Sequence, residues 1–564
     1  MANMNRFISR YYLLILILIF ATFLRFWLLG QVPAGLHEDE AAYGYNAYSL
    51  LLTGNDEHGK SFPIVLESFG EYKPALYAYL TIPWIVVFDL TPFAVRATSA
   101  LFGVFSIIMV YLLAKKLLQN TTIALIAAGM IALSPWHLTL SRTTSEVVVS
   151  VFFLLVFVYA ALSLKDTFNK WWLITAVLTG ILAVESYTAA RFFVVALAAL
   201  VFVFSFKKTQ KKILINWTLF SLCLFFIVMG LIISTLDSAT RFNQISIVST
   251  PETKLVLEEQ IREDDQTEPL ITRFFHNKVL NYSRTFIENY EDYFTIDYLF
   301  LNGGSPVRVD IPQSGLLYSW QFPFLLLGIY VIVRQRISCG YFLFSWWLLL
   351  LFPAAFTFHE IPNIYRSLIV LPALLMILSL GMYHCGKYVL EKKGHLFSIA
   401  SILLLLFVIS LEFISFQHQY YIHQEKHQPW YRGYAFKELT IALQELSPKY
   451  KKMIITKGIG GAYISLLFYR KYDPLTYQQE GSPGYDGFDT YTFVPIDCSL
   501  NAGEKGEGKV KGEKGVLYVD RGDCILAKKD VKVLKTIYWQ DGNPAVRLLE
   551  YIPSKAVLPP FRDI

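Results

Sequence analysis

Charge is scarce in this chain. Only 17% of its 564 residues are Asp, Glu, Lys or Arg, while 54% are hydrophobic. A soluble protein cannot hide that much apolar surface, so the composition excludes an ordinary globular domain. Cysteine is scarcer still, with 5 in the chain. No Cys/His spacing fits a zinc site. Cys223, Cys339 and Cys385 lie in or beside apolar runs, whereas Cys498 and Cys524 share a polar C-terminal region. An oxidising compartment would allow those two to pair. P-loop lysines, dinucleotide fingerprints, internal repeats and nucleic-acid motifs are also missing. A lone GxGG at 458–461 follows a strand-like run and reads as a structural turn.

Long apolar runs and aromatics are abundant, the latter as 44 Phe, 35 Tyr and 11 Trp. A membrane span needs about 20 mostly apolar residues. Runs at 11–30, 93–114, 121–138, 146–164, 171–186, 191–206, 213–235, 316–333, 340–357, 366–384 and 395–414 qualify. A further run, 75–90, is short and interrupted by Pro83. The positive-inside rule arbitrates it. If 75–90 does not cross, Arg6/Arg10, Lys115–Lys116, Lys165/Lys170, Lys207–Lys212, Arg334/Arg336 and Lys387/Lys392/Lys393 all fall on the cytoplasmic side. If it does cross, every later cluster moves outside. The expectation is therefore a polytopic α-helical membrane protein with about eleven spans. Its N-terminus lies inside, its first run is retained rather than cleaved, and 75–90 is a surface or re-entrant helix. The net charge of +6 is accounted for by these cytoplasmic anchors.

This topology puts 31–92, 139–146, 187–191, 236–315, 358–365 and the tail from 415 on the outer face. The first loop holds the unusual stretch Gly35–Pro74, GLHEDEAAYGYNAYSLLLTGNDEHGKSFPIVLESFGEYKP. Glu38, Asp39 and Glu40 are consecutive, and Asp56, Glu57, Glu67, Glu71 and Lys73 follow. Ala41–Thr53 has helical apolar spacing, while Asp56 and Glu67 read as solvated loop charges. Lys73-Pro74 leads into 75–90 as a helix start. Arg96 lies one turn inside the next span, where an arginine must snorkel, pair or face a wet cavity. Further outer turns carry His137 and Arg142, Glu185, Tyr187 and Arg191, and His359, Glu360, Tyr365 and Arg366. The long loop 236–315 places His276, Lys278 and Arg284 on an amphipathic helix. His137, His276 and His359 read as local hydrogen-bonding histidines.

Membrane character is lost beyond 430. KKMIITKGIGGAYISLLFYRKYDP reads as strand, glycine turn and helix, and GVLYVD, CILAKK and VKVLKTIYW as strands. The expected organisation is thus a membrane domain over 1–414 and a small extracytoplasmic α/β domain over 415–564, the latter with a charged loop at 501–515.

Neighbouring carboxylates at the mouth of a membrane bundle serve as general base or as divalent-metal ligands. Cations on the same side beside a lipid phase suit a lipid-linked phosphate donor: the base takes a proton from an acceptor hydroxyl and the cations neutralise the leaving phosphate.

Gly35–Pro74 resembles the first outer loop of the bacterial branch of the protein O-mannosyltransferase and aminoarabinose transferase superfamily. The resemblance rests on Asp39-Glu40, the aromatic Tyr43, Lys73-Pro74 and Arg96, with SPWHLTLSR, SYTAAR and LLFYRKYDP as further matching segments. It implies a GT-C glycosyltransferase of the plasma membrane that uses a polyprenyl-phosphate sugar, inverts the anomeric carbon and requires no metal. Asp39 becomes the base, with Glu38 and Glu40 as neighbours. Lys73, Arg96 and Arg191 become the donor-phosphate ligands. Tyr43, Glu71, Arg142, Tyr187, His359 and Arg366 are further candidates. Where the family has an acid just before Lys-Pro, this chain has Tyr72, with Glu71 one residue earlier. The acceptor, whether protein, lipid or glycan, is not specified by the motifs. Three other readings remain. A polyprenyl-glycan flippase would place its charges at mid-membrane in repeated halves, and a non-catalytic scaffold would tolerate loss of the loop acids. A metal-dependent transferase would use Glu38 and Asp39 as ligands.

Overall fold

The computed structural model describes residues 2–166, 169–206, 246–264, 269–500, 510, 512–524 and 530–552. The expected span 213–235, Cys223, the lysines of 207–212, most of the loop 501–515 and most of the CILAKK strand lie outside the described residues. The chain divides into two compact units. One comprises Met1–Leu29, Ile64–Leu80 and Arg96–Tyr421, the other Gly30–Pro63, Thr81–Val95 and Ile422–Ile564.

The first part of the chain runs through α1 (Ala2–Phe26), α2 (Glu38–Thr53), strands β1 (Val65–Ser68) and β2 (Glu71–Pro74), α3 (Leu76–Phe88), α4 (Pro92–Leu118), α5 (Thr121–Leu133), α6 (Pro135–Ser141), α7 (Glu146–Asp166), α8 (Lys170–Ser186) and α9 (Ala190–Phe206). Apolar composition makes these helices, and short polar caps start several of them. Asn120 and Asn169 accept backbone N–H groups at the starts of α5 and α8. Lys115 and Lys116 close α4, where their charge suits the helix dipole.

Among the described residues, Pro92–Leu118, Glu146–Leu164, Ser338–Ala355, Ile364–Glu391 and His395–His423 are long and apolar enough to cross a membrane. The expected span 121–138 is not one straight helix. It breaks between α5 and α6 with a 55° bend, because Ser134 leaves helical geometry to cap α6 and Pro135 follows it. α3 has 13 residues. At 1.5 Å per residue it reaches about 20 Å, short of the roughly 30 Å hydrocarbon core. Lys73 does not sit at a helix start: β1 and β2 form an antiparallel hairpin around Phe69–Gly70, with Leu66 opposite Lys73.

The later helices of the first unit are α10 (Pro251–Glu263), α11 (Pro269–Phe275), α12 (Lys278–Asp292), α13 (Phe322–Gln335), α14 (Ser338–Leu349), α15 (Phe352–Ala355), α16 (Leu371–Lys392) and α17 (His395–His418). The expected helix over RFFHNKVLNYSRTF is therefore two helices, because Asn277 takes extended geometry and its side chain accepts from Leu280 N to start α12.

α16 is the hub of the first unit. It packs on α5, α13 and α14, and Leu371 through Leu378 are almost all fully buried. Its fit to α13 depends on two glycines. A Cβ at Gly381 would lie 2.1 Å from the Phe324 carbonyl oxygen, and one at Gly328 would lie 2.2 Å from that of Ile377. Without lipid-phase hydrophobic drive between helices, such close backbone approach is what builds the interface.

The second unit contains α18 (Ala435–Leu446), β3 (Lys452–Thr456), α19 (Ala462–Arg470), α20 (Pro474–Gln479), β4 (Tyr491–Val494), β5 (Val516–Arg521), β6 (Val531–Tyr538) and β7 (Pro544–Tyr551). The sheet order is β4-β3-β5-β7-β6. β3 pairs in parallel with β4 and β5, while β7 pairs antiparallel with β5 and β6. Ile454, Leu500, Val516, Tyr518 and Leu549 form a core on the sheet. The strand–turn–helix reading of 451–474 holds, and β4 and β7 are strands the sequence reading did not name. Cys498 and Cys524 form a disulfide, which ties the chain after β4 to the turn after β5.

Gly381→Ala must move a backbone carbonyl rather than a side chain, so it is expected to destabilise the protein by about 1–3 kcal/mol. Gly386→Ala, on the same helix with nothing within 4 Å, should leave thermal unfolding in detergent unchanged. Equal melting temperatures for the two variants would remove the close-packing account of α13 and α16.

Candidate active site

In the second unit the acidic loop is a capped helix. His37 is the residue before α2, and its backbone is extended. Asp39 N donates to His37 Nδ1 at 3.2 Å, and His37 N donates to Glu40 Oε2 at 3.2 Å. This reciprocal arrangement gives Glu40 a structural task, and Glu40 is buried. Asp39 is the second residue of the helix, where a carboxylate gains from the dipole. Its Oδ2 is 3.4 Å from His37 Nδ1, and its side chain is 35% exposed. With Nδ1 accepting from Asp39 N, the neutral histidine carries its proton on Nε2.

α2 packs on helices far away in sequence. A Cβ at Gly44 would lie 2.6 Å from the Phe468 ring and 2.7 Å from Val95. Tyr45 OH donates to Tyr472 O at 3.1 Å. Gln478 Nε2 donates to Ser49 Oγ at 3.0 Å, to Thr53 Oγ1 at 3.2 Å and to Asp56 O at 2.9 Å. Lys471 pairs with Asp89 and, as the first cause, holds its carboxyl below the usual range. The GxGG turn is structural in a specific sense: at Gly461, with φ +73°, a Cβ would meet Glu38 Cβ at 2.6 Å. Gly461 N donates to Tyr485 OH at 2.9 Å, and Lys457 Nζ sits 5.5 Å from the Tyr485 ring centre.

Asp56 is not a solvated loop charge. It is buried, and its Oδ1 accepts from His58 N at 3.0 Å and Lys60 N at 2.8 Å, closing the loop on itself. Glu57 is fully buried beside it. Burial, followed by the Glu57 carboxylate, pushes the Tyr45 and Tyr463 phenols well above their ordinary range, so both remain protonated. Glu67 is exposed, as expected. Tyr43 is buried in α2.

The first unit holds the cations. Lys73 is 8% exposed, and its Nζ lies 5.8 Å from the Phe69 ring centre across the hairpin turn. Glu71 opens the same strand. Arg96 is 1% exposed and donates to Leu29 O at 3.3 Å. Neither is a snorkelling surface anchor. Arg191 is half-buried at the start of α9, near enough to Glu185 at the end of α8 to interact with its charge, and Tyr187 caps α8 between them.

Arg142 is fully buried. It donates to Leu24 O at 2.6 Å, Arg25 O at 3.1 Å and Tyr420 OH at 3.1 Å, and lies 5.4 Å from the ring centres of Tyr420 and Tyr421. His137 Nδ1 is 2.9 Å from Arg25 Nη2. Arg366 donates to Thr357 Oγ1 at 2.8 Å and to the carbonyl of exposed His359 at 2.7 Å. Among the described residues no group of three or more His, Cys, Asp or Glu is placed to hold a metal ion.

Residues 15–243 match the family described as dolichyl-phosphate-mannose-protein mannosyltransferase, PMT. The match lies within the N-terminal half of the chain. That family is one of multi-pass membrane glycosyltransferases. The fold is similar to two solved GT-C glycosyltransferases. ArnT from Cupriavidus metallidurans in the apo state aligns over 96% of this chain and 98% of its own, with TM-score 0.51 and 12% identity. The archaeal oligosaccharyltransferase AglB from Archaeoglobus fulgidus, solved with an inhibitory peptide and a dolichol-phosphate, aligns over 82% of this chain at TM-score 0.51 and 14% identity. The chain spans 64% of the AglB length. No curated protein matches the chain by sequence. The chain thus has a GT-C-like, mostly helical fold with a C-terminal sheet domain.

The residues missed from sequence are Phe468, Gln478 and Tyr485, and the burial of Glu57 was not foreseen. Phe468 lies within LLFYRKYDP, a segment already singled out, but nothing local tied it to Gly44.

If Arg142 is structural, Arg142→Met should lower the melting temperature by several degrees, from a loss of roughly 1–3 kcal/mol of buried hydrogen bonding. Polyprenyl-phosphate affinity of the folded fraction should not change. A selective loss of affinity with normal stability would add Arg142 to the phosphate ligands.

Proposed function

We propose that this chain transfers a sugar from a polyprenyl-phosphate carrier to an acceptor hydroxyl on the outer face of the membrane, with inversion and with Asp39 as general base. The observation that carries the reading is the unequal use of the three acids. Glu40 caps α2 and is buried, and Glu38 lies against the Gly461 turn. Asp39 is partly exposed beside His37. A reachable carboxylate at a helix N-terminus suits removal of a hydroxyl proton.

In this reading Asp39 takes the proton as the acceptor oxygen attacks the anomeric carbon. The bond from that carbon to the phosphate oxygen breaks on the opposite face, and the electron pair leaves with the polyprenyl phosphate. Lys73 and Arg96 neutralise the leaving phosphate, with Arg191 as a further ligand. Both leading cations are largely removed from water, which raises the worth of each charge. Tyr43 and Glu71 stay as secondary candidates. Residues 1–414 form the catalytic membrane part and 415–564 the extracytoplasmic domain. The disulfide between Cys498 and Cys524 supports an oxidising outer location for that domain. The carrier-bound AglB and the PMT match support the donor class. The gathering of charge in the outer loops, without repeated halves, favours transfer over flipping.

Asp39→Asn should lower transfer by about 10²–10⁴-fold, the usual worth of a general base, with insertion and melting temperature unchanged. Lys73→Ala should weaken donor binding by roughly tenfold or more, from about 1.5–3 kcal/mol for a hydrogen bond to a charged group. Purified protein with a panel of polyprenyl-phosphate sugars supplies both readouts. Near-normal transfer by Asp39→Asn would remove Asp39 as base.

A further inference from the structure

The elbow formed by α11 and the start of α12 carries more exposed apolar surface than a water-facing loop sustains. Leu270 is 79% exposed, Phe274 69%, Phe275 61% and Val279 74%, with Ile271 and Leu280 also exposed. Six large apolar side chains within residues 270–280 form a patch that marks an interaction surface rather than scattered exposure.

The opposite side of the elbow is already engaged. His276 Nε2 is 3.1 Å from Asp264, and its Nδ1 is 3.3 Å from Gln260 Oε1 on α10. Asn281 Nδ2 donates to Thr253 O at 2.9 Å, and Tyr282 OH to Val248 O at 3.3 Å. These bonds turn the polar side inward to α10 and leave the apolar side outward. The far half of α12 is fastened to the end of a membrane-spanning stretch. Phe286 packs on Phe356 with ring centres 4.7 Å apart, Asn289 Nδ2 donates to Ala355 O at 3.0 Å, and Tyr290 OH donates to Leu348 O at 3.0 Å. Leu348 and Ala355 belong to Ser338–Ala355, which is long and apolar enough to cross a membrane. α12 thus runs from the elbow at Lys278 to the end of that stretch, which it meets through Phe286, Asn289 and Tyr290. Residues 269–280 contain Arg273 and Lys278 and no acid.

We infer that this elbow lies in the interface of the membrane surface, its apolar side chains among the acyl chains and Arg273 and Lys278 against anionic headgroups. An amphipathic helix with a basic polar edge and Phe/Leu on the other face has this chemistry. Attachment through α12 to the end of a spanning stretch, and the absence of acid from residues 269–280, distinguish a lipid surface from a protein acceptor as the occupant. The inference rests on membrane embedding alone and stands or falls separately from the transferase reading.

The test uses the full-length protein with its free cysteines replaced by serine, in nanodiscs of phosphatidylcholine and phosphatidylglycerol. Nitroxide labels go at Phe275→Cys, at Val279→Cys and, as a water-facing control, at Glu288→Cys. Power saturation should place labels 275 and 279 about 5–10 Å below the lipid phosphates, the depth of an interfacial helix, with oxygen more accessible than a water-soluble nickel reagent. Label 288 should show the reverse. Phe274→Asp in the Val279→Cys background should move label 279 into water, which a purely structural role for Phe274 would not do. Nickel accessibility at 275 and 279 would overturn the inference. So would shielding of both labels from both reagents, the signature of a protein partner or a second copy.

Discussion

The acidic loop has a defined shape because one residue lacks a side chain. At Gly44 the face of α2 closes on the Phe468 ring and on Val95 at a distance no Cβ permits. That contact fixes where α2 lies on α19, and the hydrogen bonds from Gln478 and Tyr45 then fix its length and rotation. The position of His37, Glu38, Asp39 and Glu40 on the first turn follows from this. A helix start is a soft feature in isolation, since its capping bonds are worth only about 1 kcal/mol. Packing makes it rigid.

Once α2 is held, the three consecutive acids stop being equivalent. The capping geometry engages Glu40, the glycine turn at 461 approaches Glu38, and Asp39 is turned toward His37 with partial access to solvent. A similar sorting runs through the arginines. Arg142 bonds carbonyls at the end of α1 and the Tyr420 hydroxyl, whereas Arg96 makes a long bond to Leu29 O from a buried position. Charges removed from water are costly unless they are held by hydrogen bonds or used on a ligand. The structural and functional readings of each arginine differ in which of those two conditions meets the cost.

The helical part obeys a different constraint. In lipid, helices gain little from burying apolar faces against one another, so fit depends on small residues and on satisfied backbone. The Gly328 and Gly381 pair joins α13 to α16 on that principle. The break at Ser134-Pro135 is tolerated because Ser134 caps α6 while Trp136 N donates to Leu316 O at 3.3 Å and Tyr318 OH donates to Leu133 O at 3.0 Å. The ends of the broken span are thereby satisfied inside the protein.

The apolar runs, the basic clusters beside them and the loss of membrane character after 430 were legible in the sequence, because hydrophobicity and its periodicity are local properties. So were α2 and the strand–turn–helix at β3 and α19, and the motif residues of the PMT resemblance. The β1–β2 hairpin, the splitting of 269–292 and the burial of Asp56 and Glu57 were not legible. Each depends on a turn or a distant partner that leaves no periodic mark. The partnership of α2 with α19 and α20 joins residues about 425 positions apart in the chain, as from Ser49 to Gln478. One sequence carries no signal across such a separation. The sequence marked Asp39, Lys73 and Arg96 as candidates through the resemblance of the motifs that carry them, Asp39-Glu40, Lys73-Pro74 and the early arginine of the next span, to the mannosyltransferase and aminoarabinose transferase superfamily. Only the tertiary structure decided which acid is occupied by capping and which arginine by carbonyl oxygens, because burial and hydrogen-bond partners are properties of the packed chain.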